Sequence, residues 1–531
     1  MLNSLIQSLK PVAPGSPWTA PPAAVVVAIG LWWGSGPAPL RAETGLAPWV
    51  NPQSPALLAE LSQQTPMAYG DSDYDNRRPS DRRTDSETAP ETDSETAPET
   101  DTEIIRRGGP RVNPAPSAVP QPSSVPTMTP AIQDAIIKME DKWQAEYSSH
   151  LQIQPIDQFT NPTQVITTLA EADAATGTHT GFLWIASTND HISLILTTAQ
   201  GTSVAHEIPV PQARLRQVVQ LFNTGVSDPT SPPNRYLKPA QSLYDWLVAP
   251  LEPVLEAEGI DTLIFCMGQG LRSLPLAALH DGNQFLIERY AIVRVPAFVL
   301  SDLSYRPLRN TQVLAMGASE FTDQSALPAV PLEINTIVQD LWPGTAVLNQ
   351  NFTLDNLQRE RERQPYSIIH LATHANFQSG DLSQSYIQLW DSRLTLDRID
   401  ELNWKDPLVE LLVLSACETA LGDTEAELGF AGMTVQAGVK SALASLWSVS
   451  DVGTLALMTE FYSQLETASS KANSLQEAQL AMIRGEVKVS DGRLSSVSRG
   501  TSLETGPDFH PPANFSHPFY WSAFTLIGSP W

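Results

Sequence analysis

Cysteine is nearly absent from this sequence: 531 residues contain two, Cys266 and Cys417. Two distant thiols cannot form the disulfide framework of a small secreted scaffold. No CxxC pair occurs, which excludes a zinc ribbon, and neither a metal nor a cofactor is expected. Cations are scarce too, with 32 Lys and Arg against 58 Asp and Glu, a formal net charge of −26. Nucleic-acid affinity rests on Lys and Arg displacing counterions from phosphates, so nucleic acid is set aside as a partner. No apolar run reaches the roughly 20 residues of a membrane-crossing helix. A GxSxG nucleophile elbow and a 34-residue helical repeat are also missing, which argues against a serine α/β-hydrolase and a repeat array.

Proline, by contrast, is abundant at 44 residues, many of them ahead of residue 131. The apolar run AAVVVAIGLWW at 23–33 has the length of a signal-peptide core. Lys10 precedes it, and small residues leading to Ala42 follow. Residues 1–42 are therefore expected to direct export, with the cytoplasm as the alternative. Residues 43–130 read as a disordered acidic and Pro-rich linker. Between Asp71 and Glu103 there are 12 acidic and 4 basic residues, including the tandem repeat TDSETAPE at 84–91 and 92–99. Pro110, Pro114, Pro116, Pro120, Pro122, Pro126 and Pro130 follow. Such composition buries too little apolar surface to offset chain entropy.

From residue 131 the pattern changes. Ile132, Ile136, Ile137 and Trp143 recur at helical spacing. Two β-rich runs at 181–188 and 191–198 flank Asn189-Asp190 and predict a hairpin, with a third strand at 202–210. Residues 131–234 thus form a small α/β region. Beyond it, apolar runs at 262–267, 290–297, 312–317, 366–373, 410–416 and 440–447 alternate with helical segments. This predicts an α/β fold with a mostly parallel sheet flanked by helices. Chemistry in such sheets gathers at strand carboxyl ends.

Two of those ends carry reactive side chains. In YSIIHLATHANF the strand is expected to run out at Thr373, with His374 just past it. In ELLVLSACETALG it is expected to end at Ser415-Ala416, followed by Cys417. If the strands are neighbours, imidazole and thiol come within reach. A thiol near pH 7 is only a few per cent thiolate, and an adjacent His takes its proton. The backbone amides of Ala375 and Cys417 are candidates to stabilise an oxyanion. On pattern alone, a buried Cys at a strand end is more often core than catalytic.

The segment from residue 235 to the end resembles the CHAT domain, a bacterial branch of the caspase–separase group of cysteine peptidases. The matching blocks are CMGQGLRSLPLAALHDG, LPAVPLEI, HLATHANF, LVLSACETALG, ELGFAGMTVQAGVKSALASLWSVSD, LMTEFYSQL, EAQLAMI and HPFYWSAFTLIG, in the family's order. The resemblance implies a caspase-like fold and a His–Cys dyad at His374 and Cys417 that cleaves protein or peptide substrates. Many relatives have Gly after the His, where this chain has Ala375. The alternative is a caspase-like scaffold that binds partners in bacterial signalling without turnover. Relatives in the wider group often cleave after Arg or Lys, which makes Asp423, Glu425 and Asp451 candidates for an acidic substrate pocket. Glu418 and Glu427 lie in the same acidic cluster, whose plainer reading is a solvated loop. The wider group often matures by loop cleavage, for which the polar stretch 485–512 is the candidate.

Other residues invite simpler readings. His370 and His374 are spaced HxxxH on a strand, not a helix, so a packed His370 is expected and not a zinc ligand. Cys266 sits in an apolar strand and reads as a core thiol. His517, Tyr520 and Trp521 read as a terminal aromatic plug.

Overall fold

A computed structural model describes residues 128–531, apart from 155–158, 309–310, 420, 422, 491–492, 497–500 and 505–513. These residues belong to the unit Pro114–Trp531. The export signal read over 1–42 lies outside the described residues, as does all but the last few residues of the linker.

Helix α1 (Pro130–Leu151) starts where the linker was expected to end. Thr129 caps it by accepting from Ile132 N, and Pro130 occupies the first turn, where its missing N–H costs nothing. Its buried stripe includes Ile136, Trp143, Tyr147 and Leu151. Helix α2 (Thr163–Thr176) follows. Strands β1 (Thr180–Ser187), β2 (Ile192–Thr198) and β3 (Ser203–Ile208) form the expected antiparallel meander. Helices α3 (Gln212–Val226), α4 (Pro233–Leu247) and α5 (Glu252–Ala257) then lead to β4 (Thr262–Met267) and β5 (Ala291–Val295).

The second half alternates strands and helices. It comprises β6 (Val313–Gly317), α6 (Val330–Asn335), β7 (Gly344–Leu348), α7 (Leu354–Arg363) and β8 (Ile368–Phe377). Short strands β9 (Tyr386–Gln388) and β10 (Arg393–Thr395) precede β11 (Leu411–Thr419), α8 (Thr424–Ala437) and β12 (Ser441–Ser445). Helices α9 (Asp451–Leu465) and α10 (Lys471–Ile483) follow. Strands β13 (Val487–Ser490), β14 (Arg493–Ser496) and β15 (Thr501–Glu504) make a separate antiparallel sheet. The described part of 485–512 is therefore mostly strand where a loop was expected, and the rest of that stretch lies outside the described residues. Helix α11 (Pro518–Trp521) and β16 (Phe524–Gly528) close the chain.

One 13-stranded sheet runs β10-β9-β8-β11-β12-β16-β5-β4-β1-β2-β3, with β6 and β7 attached through β8. Strands β7, β6, β8, β11 and β12 are parallel to one another, as are β16, β5, β4 and β1. The two blocks meet antiparallel at β12 and β16. The sheet is thus largely parallel but points its two blocks at opposite ends, which strand composition alone does not encode. Strands β4 and β5 are buried at every position, as a parallel sheet covered on both faces requires.

Candidate active site

Strand β8 changes partners along its length. Its first half pairs with β6, from Val313↔Ile368 to Gly317↔Ala372. Its second half pairs on the hairpin side with β9, Ala375↔Ile387 and Asn376↔Tyr386. Thr373 bridges the handover, its hydroxyl donating to Gln388 O at 2.7 Å. Gly317 lets β6 turn away here: a Cβ would collide with the Ala372 carbonyl and lie 2.8 Å from Val330 Cγ1.

On its other side β8 pairs with β11 throughout, but with a break. Leu414 opposes Leu371, and Ala416 opposes His374, so three residue steps on β8 match two on β11. This is a β-bulge, a device that re-aims side chains beside sites. Beyond it the backbone of Cys417 is in register with Ala375. Neighbouring strands lie about 4.8 Å apart. The two segments read from the sequence as strand ends are thus adjacent. Both strands run further than expected, to Phe377 and Thr419, so His374 and Cys417 lie within strands and not just past them. The extension reflects pairing with β9 and with each other, which local composition does not reveal.

His374 is half-buried, with Phe321 edge-on to its ring at 4.8 Å between centroids. Its Nε2 lies 2.8 Å from Ser325 O. A carbonyl can only accept, so Nε2 donates, and in the neutral ring Nδ1 then holds the lone pair. Ser325 and Phe321 belong to the segment between β6 and α6 and were not singled out in the sequence, since the useful group of Ser325 is a backbone carbonyl.

His370 lies on the same strand but in a different environment. It is fully buried, with Nε2 2.9 Å from Glu333 Oε1 and Nδ1 3.2 Å from the Tyr462 hydroxyl. Burial and the nearby Glu333 carboxylate push the Tyr462 hydroxyl well up. The two histidines therefore take separate partners. Among the described residues no group of three or more His, Cys, Asp or Glu is arranged for a metal ion.

The acidic candidates are each engaged by the protein. Asp423 caps α8, its Oδ1 accepting from the amides of Glu425 and Ala426 at 3.0 Å. Glu425 is exposed and accepts from Ser379 Oγ at 2.9 Å and Gly380 N at 2.7 Å. Asp451 opens α9 after the carboxyl end of β12 and accepts from Ala329 N at 2.5 Å. Burial outweighs that hydrogen bond, and with help from Glu333 pushes its carboxyl up to about 7.

Glu427 is not solvated, unlike the acidic loop expected around it. It is 1% exposed and accepts from Ser273 Oγ at 2.6 Å and Gly270 N at 3.0 Å. Burial raises its pKa. It ties α8, which follows Cys417, to the GQG turn after β4. Arg272 on that turn pairs with Glu146 of α1 and stacks on Tyr147. Helix α1 itself packs on α8 at Gly432, where a Cβ would sit 2.9 Å from Leu151 Cδ1. Cys266 is fully buried, its thiol pushed well up by burial, and Sγ lies 3.5 Å from Pro296 O. His517 caps α11 through Phe519 N, and its Nε2 meets Ser231 O at 3.0 Å.

A cavity of about 690 Å³ lies between α2 and residues 298–305 and is lined by none of the candidate residues. The site is instead defined by strand register. The CHAT domain matches residues 237–529, more than half of the chain. The chain belongs to the CHAT family. This CHAT protein has the expected α/β architecture, a largely parallel sheet flanked by helices. Two crystal structures of the Saccharomyces cerevisiae separase–securin complex are similar to it, at 10% identity with a TM-score of 0.39 and 9% with 0.43. Each match covers 69% of this chain and 31% of the other, so the chain spans less than a third of those proteins' length. No curated protein matches it.

Proposed function

We propose that this CHAT protein is a cysteine endopeptidase in which His374 and Cys417 form the dyad. The observation that carries the reading is the register of β8 and β11, which sets the Cys417 backbone beside Ala375, next to His374. The His374 tautomer supports it, since Nε2 is occupied by Ser325 O and Nδ1 remains to take a thiol proton. In the proposed reaction the thiolate of Cys417 adds to a peptide carbonyl, and the amides of Ala375 and Cys417 receive the oxyanion. The imidazolium protonates the departing amine, leaving an acyl-enzyme that water hydrolyses. Asp423, Glu425 and Asp451 are proposed to receive a basic P1 side chain through carboxylate lone pairs left over from their present bonds. The apolar run at 23–33 is the basis for proposing that the protein works outside the cytoplasm.

The test is alkylation of the full chain across pH in wild type, His374→Ala and Cys417→Ala, alongside cleavage of a peptide library. The reading expects rapid labelling of Cys417 below pH 7, slowed in His374→Ala, and no cleavage by Cys417→Ala. Buried Cys266 should stay unlabelled in the folded protein. A Cys417 that titrates like a free thiol in both backgrounds would replace the peptidase with a caspase-like binding scaffold.

A further inference from the structure

The end of β11 and β12 opposite the dyad carries an unusual concentration of buried charge. Glu410 precedes β11, Lys440 precedes β12, and Lys471 opens α10. Lys440 is 2% exposed and well satisfied: its Nζ donates to Ser304 O and to Ser304 Oγ at 3.1 Å, and lies 3.8 Å from Glu410 Oε2 and 4.0 Å from Asp302 Oδ2. Arg306 approaches the other oxygen of Glu410 at 3.9 Å. Lys471 is different. It is 1% exposed, and its Nζ has no hydrogen-bond partner. A buried, unpaired ammonium is costly, so such groups are found paired or made neutral. Glu410 and Asp302 act on Lys471 electrostatically, but Glu410 already faces Lys440 and exposed Arg306, Asp302 is itself exposed, and neither hydrogen-bonds the Lys471 ammonium.

Lys471 also lines a cavity of about 440 Å³. Its walls mix polar and apolar surface, with Leu341, Trp342, Leu465 and Trp531 forming an apolar part and Arg306 at its edge. Glu466 is the carboxylate among the lining residues, and it is exposed. The α10 amides nearby are already used: Ala472 N donates to Pro530 O, and Asn473 N to Ser470 Oγ. The ammonium is therefore the group left for a ligand.

We propose that this cavity binds an organic carboxylate with an apolar body, received by the ammonium of Lys471 with Arg306 at the rim. Leu341, Trp342, Leu465 and Trp531 take the body, and the carboxylate supplies the hydrogen-bond partner that the ammonium lacks. Burial lowers the Lys471 pKa to about 7 in the empty site. Binding an anion restores the ammonium, so at pH 8 complex formation draws a proton from solution. The inference is independent of the dyad, because the two sites lie at opposite ends of β11.

The test is calorimetry and thermal denaturation of the full chain at pH 8 with N-acetylleucine, phenylacetate, a tripeptide ending in leucine, N-acetylleucinamide and inorganic phosphate. The carboxylates should bind saturably and raise Tm by about 3 °C at a hundred times the Kd. Calorimetry in two buffers of different ionisation heat should report uptake approaching one proton. Tighter binding of phenylacetate would mark a free small acid as the natural ligand, and tighter binding of the tripeptide a peptide terminus. Lys471→Met should keep the empty protein's Tm or raise it, and should weaken carboxylate binding at least tenfold. Equal stabilisation by N-acetylleucinamide, binding without proton uptake in the wild type, or undiminished binding by Lys471→Met would each overturn the proposal. So would saturable binding of phosphate alone.

Discussion

Asp451 illustrates how one side chain couples the site to pH. Its folded carboxyl holds a proton up to about 7, whereas an unfolded Asp releases it near the ordinary value of 3.8. Between those values the folded chain binds more protons, so this group makes stability fall as pH rises. Asp451→Asn keeps an oxygen for Ala329 N and removes the slope. Its Tm at pH 8 should exceed that of wild type, reflecting a cost of up to about 4 kcal/mol. A variant no more stable at pH 8 than wild type would contradict this account. Asp423 offers a second separation of roles. Asp423→Ala should cost about 1 kcal/mol through loss of the α8 cap, and Asp423→Asn should restore it. Under the acidic-pocket proposal, Asp423→Asn still loses cleavage after Arg while its Tm stays normal, as read by denaturation and peptide kinetics side by side.

At the scale of elements, the strand cores were legible because buried parallel strands are unbroken apolar runs, as in TLIFCM and ELLVLSA. The hairpin was legible from its turn. Strand extensions were not: HANF and CET look like loop text, and they become strand through register with each other and with β9. The sheet β13–β15 was hidden by polar residues that alternate weakly. The candidate site was legible as two residue types at two strand ends, but the Ser325 carbonyl, the bulge and the Glu427 tie are tertiary. Gly317 tests the handover directly. Gly317→Ala should destabilise the fold by about 1–3 kcal/mol, and under the dyad proposal it should slow Cys417 alkylation more than global stability explains. An unaltered melting curve would show that β6 can yield without cost.

For the whole molecule, the family boundary at residue 237 cuts through a continuous structure. Strand β1 extends the sheet from β4, and Glu140 of α1 accepts from Trp184 Nε1 at 2.7 Å and from Phe298 N at 3.1 Å. Removing these elements bares the edge of a fully buried, mostly apolar strand, a template for aggregation. A fragment beginning at 237 should therefore be insoluble or bind a hydrophobic dye, whereas 128–531 should unfold cooperatively. A soluble, cooperatively folding short fragment would show that the CHAT segment is self-sufficient.

The antiparallel seam at β16 also fixes an order of assembly. Of the strands in the large sheet, β16 is last in the chain, yet it stands between β12 and β5, pairing Ser441 through Ser445 on one side and Val293 and Arg294 on the other. During synthesis the early block and the late block can each collapse, but no strand ladder joins one to the other until residues 524–528 emerge. Each nascent half would carry an open edge at that stage, and nascent chains expose such edges to misassembly. The protein behaves as a clasp whose pin arrives last, so a ribosome-stalled chain lacking β16 should hold two half-sheets, neither able to bring its end of the molecule to a finished state.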